Sequence, residues 1–174
     1  MPNNYTNADG LPLRIGGASP LTYGVGESSN SGSVLKTMYI DFDYANYPKY
    51  DKDANNDGTL DSFSGQTPAI PAGATVHRAF MQVKAAVTGG TATGIDIGLY
   101  TKAGVAISAA GIAAAGGAGG VLSGLTANTT VVCAGALASN DNIGTADAYI
   151  KFTPNGTLTA GTGRLVIENI PGKP

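Results

Sequence analysis

The chain has one cysteine, one histidine, two glutamates and no tryptophan in 174 residues. A lone cysteine, Cys133, excludes an intrachain disulfide, and its setting in TVVCAGAL suits a small buried residue. His77 has no second imidazole with which to build a metal site, and GxSxG, HExxH and GxGxxG are all missing. Charge is also scarce, at 13% of residues against roughly 25% in ordinary soluble domains. With net charge −2, pI near 5.1 and no basic run, a nucleic-acid partner is not expected. No uninterrupted apolar stretch reaches the length of a membrane span, and MPNNYTNADG lacks a basic region followed by an apolar run. The sequence therefore predicts a soluble, unexported, non-enzymatic chain, because catalysis needs a nucleophile beside a base, or paired carboxylates, or an open metal.

Glycine, by contrast, is abundant at 26 residues, and short apolar/polar alternations recur along the chain. The length suits one domain able to bury roughly two-thirds of its unfolded surface. Residues 1–32 are rich in Asn, Gly and Ser, with little apolar area to offset the entropy of ordering them. They read as an extended arm, either frayed or laid along a neighbouring subunit, ahead of a single domain at 33–174. From Ser33 to Tyr44, Val34, Met38, Ile40, Phe42 and Tyr44 alternate with Thr37, Tyr39, Asp41 and Asp43, predicting a strand wet on one face.

Six of the twelve acids lie between Asp41 and Asp61, and the segment YDKDANNDGTLD has the spacing of a loop for a hard cation. Asp53, Asn55, Asp57, Thr59 and Asp61 fall at positions 1, 3, 5, 7 and 9 of a calcium loop, with Gly58 at the sharp turn. Ser64 stands where a bidentate glutamate would close an EF-hand, and neither flank reads as an amphipathic helix. Two readings remain: a weaker calcium loop, or a long connection in which Asn56-Asp57-Gly58 turns the chain with positive φ.

Ile70 to Tyr100 reads as a β-hairpin: an alternating run from Thr75 to Val87, a reversal at Gly89-Gly90, then Ile95, Ile97 and Leu99. Ala79, Met81, Val83, Ala85 and Val87 share a face, with His77 near its start, and Phe80 is the odd apolar residue opposite. From Val105 to Gly124 the low-complexity VAISAAGIAAAGGAGGVLSG predicts a long ordered loop with at most one helical turn near Ser108 to Ala115. Gly119 to Gly124 has the glycine spacing of a phosphate loop, but Leu125 replaces the lysine. Three further strands are expected at Thr129–Leu137, Ala146–Phe152 and Gly163–Ile170. Six or more short strands, long Gly-rich loops and no credible helix argue an all-β, antiparallel β-sandwich of jelly-roll type, with a barrel as the alternative. The sequons at Asn4, Asn128 and Asn155 read as polar turns.

The string Pro71-Ala-Gly-Ala-Thr-Val76, the strand Ile95-Asp-Ile-Gly98, Ala146-Asp-Ala-Tyr-Ile150 and Thr159-Ala-Gly-Thr-Gly-Arg-Leu-Val-Ile-Glu168 together resemble tailed-bacteriophage head decoration (cement) proteins and related minor virion proteins. The likeness covers roughly Ser33 to Ile170. It implies a β-sandwich on the outer surface of an icosahedral virion shell, often a homotrimer, bridging copies of the major capsid protein. A different reading is a calcium-dependent carbohydrate-binding module or head-fibre adhesin, with Asp53 and exposed aromatics such as Tyr47 and Tyr50 at the sugar. The lack of tryptophan weighs against a broad stacking platform.

Overall fold

The computed structural model describes residues 4–6, 12–14, 25–29, 35–53, 56–60, 62–63 and 70–172. In chain order its strands are β1 (Asn4–Thr6), β2 (Pro12–Arg14), β3 (Val25–Ser29), β4 (Lys36–Asp43), β5 (Tyr50–Lys52), β6 (Ser62–Phe63), β7 (Thr75–Gly89), β8 (Ile95–Tyr100), β9 (Ala106–Ala113), β10 (Thr129–Val132), β11 (Asp141–Asn142), β12 (Tyr149–Pro154) and β13 (Leu158–Ile170). The expected all-β, antiparallel sandwich is what forms. A large sheet has the order β10-β7-β13-β4-β3, with β11 also on β7, and a smaller one the order β12-β8-β9. Within the segment expected to be an arm, β1 pairs with β2, and β3 pairs with β4 as an edge of the large sheet.

One continuous core lies between the sheets. Met38, Ile40 and Phe42 of β4, Ala79, Met81 and Val83 of β7, and Leu165 and Ile167 of β13 point inward from one side. Ile95, Ile97 and Leu99 of β8, with Ile150 and Phe152 of β12, meet them from the other. The Phe42 and Phe152 rings touch across the gap at 5.2 Å between centroids. Each such fully buried side chain contributes about 1.5–3 kcal/mol, so the alternation along these strands specifies which face is inside.

The chain between Ile70 and Tyr100 is not a hairpin. Its two strands have the expected extents, but β7 pairs with β13, β10 and β11, while β8 pairs with β12 and β9. The segment Gly90–Gly94 crosses from one sheet to the other, so the two apolar faces meet across the core rather than lying side by side. A hairpin ladder is replaced by the β12–β13 turn. Gly90 and Ala92 N–H donate to the Thr157 carbonyl, and Thr93 and Gly94 N–H donate to Asn155 Oδ1 at 2.9 and 3.1 Å.

The stretch expected to be a loop contains β9, whose register on β8 is irregular. Ile97 faces Ala113 and Leu99 faces Ser108, so the residues between Ser108 and Ala113 bulge out and the alternation is lost. Small residues are required for this close approach, since a Cβ on Gly98 would lie 2.3 Å from the Ala109 carbonyl oxygen. Turns and a single 3-10 turn at Leu122–Gly124 complete the region.

Other boundaries move for similar reasons. β13 begins at Leu158 rather than Gly163, because register shifts between Leu158 and Gly163 scramble its first half. β10 ends at Val132, β12 is displaced to Tyr149–Pro154, and Tyr44, expected inside, is 47% exposed beyond the end of β4. A shift between Arg78 and Val76 opposite Glu168 and Asn169 leaves His77 as the extra residue on β7. It is therefore exposed rather than on the apolar face, with Nδ1 2.7 Å from Asn140 Oδ1.

Candidate functional site

The acidic segment forms the tip of the β5–β6 hairpin, in which Tyr50 pairs with Phe63 and Lys52 with Ser62. The base of that hairpin is a small aromatic core of its own on the outer face of the smaller sheet. Phe63 stacks on Tyr149 at 5.1 Å and meets Tyr50 edge-on at 4.9 Å, with Tyr100 at 6.3 Å. Lys151 Nζ lies 4.9 Å from the Tyr100 ring centre. Gly104, with φ of +76°, leaves room for Tyr50, as a Cβ there would sit 2.7 Å from the ring. Tyr50 and Tyr47 are thus not the freely exposed aromatics expected for sugar stacking: both are half-buried, Tyr50 on Phe63 and Tyr47 stacked on Phe152.

At the tip, Asp53 accepts the Asp57 N–H through Oδ1 at 3.1 Å and the Gly58 N–H through Oδ2 at 2.6 Å. Asp57 Oδ1 accepts the Thr59 N–H at 2.9 Å, and the Tyr50 hydroxyl donates to the Leu60 carbonyl at 3.1 Å. Asn56 and Gly58 have φ of 61° and 86°, the positive values expected of this turn. Asp53, Asp57 and Thr59 of the expected cation set are therefore gathered in one turn, whereas Asn55, Asp61 and Ser64 lie outside the described residues. A carboxylate offers about four acceptor sites, so these backbone bonds and a hard cation can share the same two side chains. Among the described residues no group of three or more His, Cys, Asp or Glu side chains is placed to hold a metal ion.

A second surface is defined by charge. No charged side chain occurs between Lys102 and Asp141, and this stretch folds as one flank of the sandwich. Beyond β10 the chain turns back to β9: Gly135 N–H donates to the Ile112 carbonyl at 2.9 Å and Leu137 N–H to the Gly111 carbonyl at 2.7 Å. The flank thereby links the β9 edge of the smaller sheet to the β10 edge of the larger. Leu122, Leu125 and Cys133 anchor it in the core, while Val105 and Val132 are 63% and 67% exposed. Burial pushes the Cys133 thiol up to about 12, so that it behaves as an apolar filler.

The outer face of the large sheet carries the third arrangement. Two cross-strand ion pairs have fork geometry. Arg78 Nε and Nη2 donate to Glu168 at 2.6 and 3.0 Å, and Arg164 Nε and Nη2 donate to Asp41 at 2.7 and 2.9 Å. Hydrogen bonding to Glu168 raises the Arg78 pKa, and hydrogen bonding to Asp41 raises that of Arg164, whose guanidinium also lies 4.5 Å from the Tyr39 ring centre. The sequence signal for these pairs was the charged positions of β4, β7 and β13, but pairing could not be read without the strand order. Comparison with protein-family models, curated proteins and solved structures finds no match to this chain. No helix among the described residues is long and apolar enough to cross a membrane.

Proposed function

We propose that this protein is a non-enzymatic structural component of a tailed-bacteriophage head, a decoration or cement protein on the outer surface of the capsid shell. The observation that carries the reading is the uncharged flank from β9 to β10. It is ordered by backbone hydrogen bonds, seated on the core and bears exposed valines, and the centres of protein interfaces are depleted in charge in the same way. The family resemblance supplies the partner, the major capsid protein. Modest contacts repeated by icosahedral symmetry would supply the affinity. The test is co-sedimentation with capsid shells of the encoding phage, followed by electron cryomicroscopy. Added density at regular lattice positions supports the proposal, and shells that sediment without the protein refute it.

The acidic hairpin favours one other reading, a calcium-dependent carbohydrate-binding module or head-fibre adhesin. Its support is the turn that brings Asp53, Asp57 and Thr59 together on a rigid aromatic base. Glycan binding that disappears with a chelator would favour it over shell binding.

A further inference from the structure

The register of the large sheet sets four apolar residues of its outer face in one row across four strands: Val132 is exposed, Tyr39 and Phe80 are half-buried, and Val166 is buried between its neighbours. Tyr39 of β4 is opposite Val166 of β13, Val166 is opposite Phe80 of β7, and Phe80 is opposite Val132 of β10. The ion pairs flank this row on opposite sides: Arg164 and Asp41 lie two residues along their strands in one direction, Glu168 and Arg78 two residues in the other. On the central strand β13 the order along the outer face is therefore Arg164, Val166, Glu168: positive, apolar, negative.

We propose that this face pairs with the same face of a second copy of the chain, about a two-fold axis running along the Tyr39–Val166–Phe80–Val132 row. The charges choose the axis. Rotation about the row places Glu168 of each copy over Arg164 of the other, giving two alternating chains in which Arg78 and Glu168 of one copy continue into Arg164 and Asp41 of its partner. An axis parallel to the strands would instead oppose Glu168 to Glu168 and Arg164 to Arg164, a like-charge contact that costs several-fold in affinity for each pair. In the chosen arrangement the exposed parts of Tyr39, Phe80 and Val132 meet the same row of the second copy, as an isologous contact requires, with Val166 recessed between them. Val132, 67% exposed in the single chain, is the residue with most to gain. Four strands by seven residues project to roughly 450 Å² per copy, or about 900 Å² in all, at the lower edge of specific interfaces. A contact of that size belongs with the weak, transient ones, so the mass depends on concentration.

Val132 belongs both to this face and to the β9–β10 flank proposed to bind the shell, so the test reads the mass of the isolated chain with no shell present; a two-copy state also differs from the trimer implied by the family resemblance. The test is sedimentation velocity on the full chain from about 1 to about 100 µM, a range that brackets a micromolar dissociation constant. The expected result is a rise from one copy to two. Val132→Glu, at an exposed site that leaves the fold intact by circular dichroism, should weaken pairing about tenfold or more. Arg164→Glu and Glu168→Arg should each remain single alone and pair when mixed, because each then meets its opposite charge twice. A single-copy mass throughout, a three-copy mass, or undiminished pairing by Val132→Glu overturns the proposal. So does failure of the two folded charge variants to pair on mixing. If either charge variant does not fold, the wild-type and Val132→Glu masses decide alone.

Discussion

Asn155 is the side chain on which the crossing from β7 to β8 depends, and its removal gives a direct measure of that arrangement. Its Oδ1 accepts two backbone N–H groups, Thr93 at 2.9 Å and Gly94 at 3.1 Å, while Nδ2 donates to Thr93 Oγ1 at 3.0 Å. Thr93 is exposed, so water can replace what its N–H loses, but Gly94 is buried. In Asn155→Ala the Gly94 N–H is left without an acceptor, at about 1–3 kcal/mol, and the exposed bonds add a few tenths more. A loss of about 2 kcal/mol corresponds to roughly 4–8 °C in melting temperature for a chain of this size. Asn155→Asp keeps the acceptor and forfeits only the Nδ2 bond, so its cost should stay below about 1 kcal/mol. Thermal melts followed by circular dichroism separate the two. Asn155→Ala within about 0.3 kcal/mol of wild type, or Asn155→Asp as damaging as the alanine variant, would refute the reasoning. Were β7 and β8 a hairpin, a residue this far along the chain would have no bearing on their connection.

Phe63→Ala removes the centre of the aromatic base under the acidic hairpin, and should release that hairpin to protease at concentrations that leave the wild type intact, while costing about 2–4 kcal/mol of global stability at most. On the calcium reading, an ion at roughly ten times its dissociation constant adds about 1.4 kcal/mol, visible as a higher melting temperature that Asp57→Ala abolishes; no shift at millimolar calcium leaves the tip a plain turn. Cys133, with its thiol at about 12 and its side chain buried, should react with iodoacetamide at pH 8 at least about a thousandfold more slowly than in denaturant. The Asp43 carboxylate is held below its ordinary pKa first by the Asn46 side chain, then by the Asn46 and Ala45 N–H groups. Its contribution, under about 1 kcal/mol at this solvent-exposed site, is complete above the ordinary carboxylate pKa and is lost as pH falls through the lowered one. The stability difference between wild type and Asp43→Ala should therefore shrink below about pH 4.

Much of the fold was legible because burial on one face writes itself as alternation. Met38, Ile40 and Phe42, Ala79, Met81, Val83 and Val87, and Ile95, Ile97 and Leu99 were assigned to apolar faces and are buried, whereas Ala85 of the same run is exposed where register shifts flank its partner Thr162. Alternation names faces, however, and not partners. Two strands joined by Gly-Gly look the same whether they pair side by side or face each other across a core, and the deciding group, Asn155, sits on a distant turn. Bulges hid the rest: they broke the period in β9 and early β13, and one extra residue at His77 moved it from the apolar side to solvent. The turn in the acidic segment was visible from its residues, and its tip is a turn centred on Asp53 and Asp57. Its aromatic base was not visible, because Phe63, Tyr100 and Tyr149 come from three separate segments with no shared pattern.

β13 lies between β4 and β7, hydrogen-bonded to both. It is the last strand of the described chain to leave the ribosome, yet the large sheet has no continuous middle until it arrives. Until then β4 and β7 each display a long unpaired edge, and the contacts that close the sheet span most of the sequence, a topology associated with slow folding. The nascent chain must hold those edges apart in the crowded cell, and truncation before Leu158 would leave them as templates for aggregation.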